Sequence, residues 1–311
     1  MKKTAFLFPG QGSQYIGMGS SFHEAHQTAR RTYEEASAVL GYDLAELSFC
    51  GPQQRLDKTE FTQPALLAAS VATLRVIRET FDVTPAFLAG HSLGEYTALV
   101  AAGALDFTDA VALVRLRGRF MEESASGGKG KMCAIIGLDL ETVSAICDSA
   151  TINTAEVVPA NINSPQQIVI SGHAAAVDIA MGLAKDRGAK MLVPLHVSVP
   201  SHCALMAGAA ERLEKVLAKV DFGPFSTPVV TNVEAEPTTD PGEVPGLLVR
   251  QLTSPVRWVD TVMKMKSEGV TDVVEIGPGK VLSGLTKRTE RGISTMNIDT
   301  VEDLEKIKEL L

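Results

Sequence analysis

The sequence predicts an α/β fold: a large domain on a mainly parallel sheet, interrupted by a small βαββαβ subdomain. Three observations predict it. Short apolar runs that end in glycine or Pro-Gly alternate with helical segments, as in a sheet covered on both faces. The composition shifts to glycine, serine and lysine at SASGGKGK, 124–131, which reads as a flexible connection. After it comes the order strand, helix, strand, strand, helix, strand over about 70 residues, that of a ferredoxin-like unit. The expected division is 1–125 and 200–311 for the large domain and 126–199 for the subdomain.

The elements follow in order. KTAFLFPG, 3–10, is a short buried strand stopped by Pro-Gly, and a charge-mixed helical region runs from Ser21 to Leu40. TQPALLAASVATLRVIRETF, 62–81, is a long helix with Pro64 in its first turn, where no helical N–H is lost. PAFLAG, 85–90, is the second strand; a helix opened by Ser92 and the amphipathic helix FTDAVALVRLRGRFMEES, 107–124, come next. In the subdomain, KMCAIIGL is a strand and DLETVSAICDSA a helix. EVVPAN and QQIVISG are strands around the turn INSP, followed by the helix HAAAVDIAMGLAKDRGA and the strand KMLVPLHVSV. The large domain resumes with the helix SHCALMAGAAERLEKVLAKV, the strand PVVTNV (228–233) and a Pro/Gly-rich loop. A helix around LLVRQL and a last strand and turn, VTDVVEIGPGK (270–280), complete it; no internal repeat is present.

The bulk properties exclude several classes. Hydrophobic residues make up 45% and charged residues 21% of the 311, a globular rather than a disordered balance. The net charge of −8 and the lack of a basic block speak against a nucleic-acid partner. The opening MKKTAFLFPG has too short an apolar run for a signal peptide, and no run approaches the ~20 apolar residues of a membrane span. A cytoplasmic location is the expectation. Cys50, Cys133, Cys147 and Cys203 show no metal-ligand spacing, so buried free thiols are expected and no metal.

The chemistry starts at Gly90-His91-Ser92-Leu93-Gly94. G-x-S-x-G between a strand and a helix is the nucleophile-elbow pattern, in which a sharp turn exposes the serine hydroxyl. The same turn aims the Leu93 N–H, at a helix N-terminus, toward an oxyanion forming on that serine's target. A plain βα turn is the competing reading. The segment GQGSQ, 10–14, places backbone N–H groups just past a strand end, a source for a second oxyanion donor.

A nucleophilic serine needs a base. His91 adjoins Ser92 and points elsewhere on such a turn. His23 and His26 read as solvated, His173 lies at a subdomain turn, and His196 alternates with apolar neighbours mid-strand. His202 remains, where the chain re-enters the large domain. No acid suited to orient it stands between Ser92 and His202, so a Ser–His dyad is the economical reading. In the helix 107–124, Ala110, Leu113, Val114, Arg117 and Met121 form one stripe, with Arg115 and Arg119 opposite. A guanidinium facing the core needs an anion, either an internal carboxylate or a bound substrate's carboxylate. GPGK, 277–280, lacks the spacing of a phosphate loop and reads as a βα turn.

Together FPGQGSQ, TQPALLA, AGHSLGEY, RGRFM, NINSPQQIVISG, VSVPSHCALM, RQLTSPVRW and EIGPGKVLSGLTKR resemble the malonyl-CoA:acyl carrier protein transacylases of bacterial type II fatty acid synthesis, over nearly the whole chain. The resemblance implies an α/β-hydrolase-like domain with a ferredoxin-like insert, Ser92 as acylated nucleophile and His202 as its base. It implies Arg117 as the ligand of the malonyl carboxylate, backbone N–H groups of Gln11 and Leu93 as the oxyanion hole, and Gln63 in the pocket. It implies that the Gln251 main-chain carbonyl orients His202. Malonyl-CoA is then the substrate, acyl carrier protein the partner, no bound cofactor is needed, and a monomer is expected. Lys190, Lys287 and Arg288 are the candidates for a local basic patch that docks an acidic carrier. A serine esterase or thioesterase needs no Arg117, and a binding module without activity needs none of Ser92, His202 and Arg117.

Overall fold

The computed structural model describes residues 3–125, 128, 130–195 and 199–310. The chain opens with β1 (Thr4–Phe8), α1 (Ser20–Ala25), α2 (Gln27–Leu40), α3 (Leu44–Cys50), α4 (Gln53–Leu56) and α5 (Thr59–Thr80). Then follow β2 (Phe87–Gly90), α6 (Leu93–Ala102) and α7 (Phe107–Ser124). A second unit holds β3 (Gly130–Ile136), α8 (Leu140–Ala150), β4 (Val157–Ser164), β5 (Gln167–His173), α9 (Ala174–Asp186) and β6 (Met191–Pro194). A 3-10 turn at Ala204–Met206 leads into α10 (Ala207–Leu217), β7 (Val229–Val230), β8 (Pro237–Thr238) and α11 (Val244–Gln251). The chain closes with α12 (Trp258–Ser267), β9 (Asp272–Ile276), α13 (Val281–Thr289), β10 (Ser294–Ile298) and a 3-10 stretch, Val301–Leu310.

The first sheet has the order β10-β9-β1-β2-β7-β8 and is parallel except for β8. Strand side chains alternate between faces, and β1 buries both. Phe6 and Phe8 pack into the large core formed with α2, α5, α6 and α7, while Ala5 and Leu7 pack with Trp258, Val262, Leu282 and Leu285 of α12 and α13. The second sheet, β4-β5-β3-β6, is antiparallel throughout. One face, with Cys133, Ile135, Ile168 and Ile170, is covered by α8 and α9; the other carries Met132, Ala134, Ala160 and Val169. The second sheet is tied by backbone to the segment between α11 and α12. Ile162 N–H donates to the Val256 carbonyl (2.9 Å) and Val256 N–H to the Ala160 carbonyl (2.9 Å).

Several sequence expectations are corrected. α5 begins at Thr59, because the Phe61 and Thr62 N–H groups both donate to the Lys58 carbonyl, so Pro64 sits in the second turn rather than the first. The Glu60 carbonyl loses its helical donor there, a cost offset by burial along nearly the whole helix. The 21–40 region is two helices with His26 extended between them, and α3 and α4, which have no counterpart in the sequence reading, follow. β4 runs through Ser164, so most of INSP is strand and the turn falls at Pro165 and Gln166. The helix expected over SHCALMAGAAERLEKVLAKV starts as the 3-10 turn and ends at Leu217. The strand at 228–233 is only two residues long, since Asn232 turns its N–H to Glu95 and its carbonyl to Arg257. VTDVVEIGPGK does not contain the last strand: α13 and the edge strand β10 follow it. Cys50 is exposed, not buried. His23 and His26 are half-buried rather than fully solvated: His23 packs edge-on against Tyr33 and Phe49, and His26 lies beside Phe22. His196, with part of the strand expected around it, lies outside the described residues, as does part of 124–131.

GPGK is a βα turn, with Gly277 and Gly279 at positive φ. The first N–H groups of α13, from Leu282 and Ser283, already bind the Glu275 carboxylate at 2.9 and 2.8 Å. No described helix is long and apolar enough to cross a membrane.

Candidate active site

In an open α/β sheet, ligands sit beyond the carboxyl ends of the strands. Phe8 at the end of β1 is in register with Gly90 at the end of β2, so Gln11 and Ser92 emerge side by side. Asn232 lies just past β7, the strand next to β2.

Ser92 is the N-cap of α6, with φ 51° and ψ −102°. A non-glycine residue in such a conformation stores on the order of 1–3 kcal/mol and persists only where its surroundings hold it. The surroundings are specific. Its N–H donates to Asn232 Oδ1 (2.7 Å), and its carbonyl accepts from the Glu95 N–H (3.1 Å) and from Gln251 Nε2 (3.0 Å). The two glycines of the motif let the turn close. A Cβ on Gly90 would lie 1.9 Å from the Gly94 carbonyl oxygen, and one on Gly94 2.1 Å from that of Phe8.

His202, also at positive φ (62°), is 2% exposed and reaches back across the sheet edge. Its Nε2 lies 2.9 Å from Ser92 Oγ and its Nδ1 2.7 Å from the Gln251 main-chain oxygen. A carbonyl can only accept, so Nδ1 carries the proton and Nε2 is left to accept the Ser92 hydroxyl. Burial, reinforced by the positive charge of Arg117, lowers the His202 pKa to about 3. The neutral, proton-accepting form therefore prevails at pH 7. His91, the histidine next to the serine, turns to the second unit instead: its Nε2 is 2.8 Å from Asn163 Oδ1, and its ring packs on Trp258.

Arg117 is 1% exposed on α7. Its Nη1 donates to Gln63 Oε1 (2.9 Å), and its Nη2 to Gln251 Oε1 (2.9 Å) and Ser92 Oγ (3.1 Å). Tyr96 lies under the guanidinium, 5.4 Å from ring centroid to Cζ. Arg115 and Arg119, on the outer face, pair with Glu60 and Glu123, whereas Arg117 makes no ion pair with any described carboxylate and its Nε has no partner among the described residues. The internal salt bridge that the sequence left open is thus not formed.

A cavity of about 80 Å³ opens over these groups, lined by residues that include Gln11, Ser92, Leu93, Arg117, Met132, Asn161 and His202. Met132 and Asn161 come from the second sheet, so the cavity lies between the two units. Leu93 is the first residue of α6, and its N–H has no acceptor within the helix. The structure thus brings Ser92, His202, Arg117, Gln63 and Gln251 into one hydrogen-bonded cluster, with Gln11 and Leu93 on the same cavity. Lys190, Lys287 and Arg288 are exposed and do not line it; Arg288 instead donates to Gln167 Oε1 across to the second unit. Three participants escaped sequence reasoning: Asn232, Glu95, and the side chain of Gln251, whose Nε2 also donates to Glu95 Oε2 (2.6 Å). A signal existed for Glu95, a lone charge in the otherwise apolar LGEYTALVAA, which is the argument that singled out Arg117.

A strained serine bonded to a neutral histidine, beside a buried cation that lacks an anion, on a parallel sheet, suits the chemistry of acyl groups. The chain belongs to the acyl transferase domain family, whose model matches residues 5–306, and within it to the malonyl CoA-acyl carrier protein transacylases. It is 49% identical over 313 residues to the malonyl CoA-acyl carrier protein transacylase of Haemophilus influenzae, covering 100% of both chains. To that of Escherichia coli K12 it is 50% identical over 288 residues, 93% of each. Among solved structures it is similar to an acyl carrier protein S-malonyltransferase from Vibrio cholerae, with a TM-score of 0.95, 48% identity and 98% and 99% of the two chains covered. It is similar also to a malonyl-transacylase in complex with a type II PKS acyl-carrier protein, with a TM-score of 0.97, 47% identity and 99% and 100% covered.

Proposed function

We propose that the enzyme moves a malonyl group from malonyl-CoA to the phosphopantetheine thiol of an acyl carrier protein by a ping-pong route through acyl-Ser92, supplying fatty acid elongation. The observation that carries this reading is Arg117: a buried guanidinium with neutral partners, 3.1 Å from the Ser92 hydroxyl. A malonyl thioester seated with its carbonyl at Ser92 offers the missing carboxylate, and a planar guanidinium can bind it bidentately. His202 Nε2 takes the Ser92 proton as Oγ attacks the thioester carbon. The N–H groups of Gln11 and Leu93 receive the oxyanion, and the CoA thiolate leaves with the proton returned by His202. The carrier thiol then repeats the sequence in reverse.

In this reading 1–125 and 200–311 form an α/β-hydrolase-like catalytic domain, 126–199 is a ferredoxin-like subdomain that closes the cavity, and the protein is a cytoplasmic monomer without bound cofactor. Incubation with malonyl-CoA and an acyl carrier protein is expected to yield malonyl carrier, with little free malonate. Malonate as the main product would mark a thioesterase instead. The acidic carrier is assigned to a patch of Lys190, Lys287 and Arg288; reversing these charges is expected to raise the carrier KM and leave the CoA half-reaction unchanged.

The lowered His202 pKa sets a pH profile. Depressing the pKa of a base extends its neutral form downward, so acylation is expected to stay flat from about pH 8 to about pH 5, well below the ordinary imidazole range near 6.5. A malonyl thioester without phosphates gives the cleanest measurement, since CoA titrates in this window. A decline centred near pH 6.5 would contradict the assignment. Glu95, raised by burial to about 7, titrates inside the window, but a protonated carboxyl keeps an oxygen that accepts hydrogen bonds.

A further inference from the structure

Ser92-Leu93-Gly94-Glu95 has the S-x-x-E spacing of a helix capping box, in which the glutamate turns back to the N–H of the cap residue. The structure does otherwise. The Ser92 N–H is taken by Asn232 Oδ1, and the Glu95 side chain makes no cap bond. Its Oε2 accepts instead from Gln251 Nε2 (2.6 Å) and from the Asn232 N–H (3.2 Å). Glu95 is 2% exposed, in a helix that is otherwise apolar, where a carboxyl is unfavourable unless its hydrogen bonds are made.

The two residues it holds serve the site at several points. Asn232 grips the elbow at the Ser92 N–H and, through Nδ2, at the Gly90 carbonyl (2.7 Å). Gln251 faces three ways: its main-chain oxygen to His202 Nδ1, its Oε1 to Arg117 Nη2 and its Nε2 to the Ser92 carbonyl. An amide can sit in either of two orientations, and the flipped one would set NH2 against the guanidinium, donor against donor. An accepting oxygen on Glu95 excludes the flip.

Building on the assignment of Ser92 as nucleophile, we propose that Glu95 is a positioning residue for the transfer: it fixes the Gln251 amide and, through it, the guanidinium of Arg117 and the backbone of Ser92. It touches no substrate. Its effect runs through groups that do, so it divides between KM and kcat in a way that a loss of stability does not.

The test is the rate at which Ser92 is malonylated, followed by intact mass across malonyl-CoA concentrations, with thermal melting to score folding. Glu95→Ala is expected to raise the malonyl-CoA KM roughly tenfold, the share of one hydrogen bond to a charged group, and to slow acylation about a hundredfold, as for a reacting group displaced by an ångström. Glu95→Gln, which keeps an accepting oxygen at the same reach, is expected to recover most of both. Glu95→Asp keeps the carboxyl group but withdraws the acceptor by one methylene, so it is expected to raise KM even if the alanine variant fails to fold. A folded alanine or aspartate variant with the wild-type KM overturns the proposal, as does a glutamine variant no better than alanine. Wild-type protein in the same assay separates the two claims: no acyl-Ser92 there removes the nucleophile assignment itself.

Discussion

Ser92→Ala is expected to abolish the acyl-enzyme, with transfer falling on the order of 10⁶-fold, the scale seen when a serine nucleophile is removed. The size follows from the geometry. The turn, with φ 51° at Ser92, holds the hydroxyl at the head of α6, 2.9 Å from His202 Nε2, and alanine leaves the base no oxygen of the protein to activate there. His202 itself, with Nδ1 bonded to Gln251 and Nε2 its free face, can abstract a proton from whatever occupies the serine's place. Water at that position would hydrolyse malonyl-CoA slowly but form no covalent intermediate. Intact mass of the protein after incubation with malonyl-CoA gives the readout: wild type gains one malonyl group, and the variant none. Labelling of the alanine variant would place the nucleophile elsewhere.

Arg117→Ala is expected to cut malonyl transfer by about 10²–10³-fold, the cost of removing one partner of a buried charged pair, while acetyl transfer falls far less. The contrast arises because Arg117 has two duties of unequal weight. One is the single bond from Nη2 to Ser92 Oγ, at 3.1 Å, which any acyl donor experiences. The other is to pair with a substrate carboxylate inside the cavity, since no described acid forms an ion pair with the guanidinium, and only malonyl presents one. Acylation rates with malonyl-CoA and acetyl-CoA, compared between the variant and wild type, decide it; equal losses for the two donors would refute the carboxylate clamp. Loss of the guanidinium also strands Gln63 Oε1 and Gln251 Oε1, so thermal melting should accompany the rates.

Much of this site was legible because its signals are local. Arg117 stood out since helical periodicity places residues 110, 113, 114, 117 and 121 on one stripe, and all five are buried. The elbow stood out since two close backbone approaches require glycine on either side of the serine. Elements with strong periodicity or clear stops, such as α7, β3 and β5, were legible for the same reason. β7 was not, because a two-residue strand carries no period and its length is set by where Asn232 turns away to Glu95 and Arg257. β10 was not, because STMNI at a sheet edge is half polar and half-buried, so it shows no apolar alternation.

The histidine illustrates the boundary between the two kinds of information. The sequence reached His202 by discarding five others, and it had no way to measure a distance across 110 positions. Nor could it show that Gln251 turns its backbone to His202 and its amide to Arg117, Ser92, Glu95 and Asn232, or that S-x-x-E would not become a capping box. By itself the sequence determined the α/β class, the strained turn at Ser92 and the burial of Arg117, because each depends on residues within a few turns of one another. The tertiary structure alone decided which groups meet: Asn232 just past β7, Gln251 at the end of α11 and His202 ahead of α10 converge on Ser92 because the fold packs these distant segments over the carboxyl end of the parallel sheet.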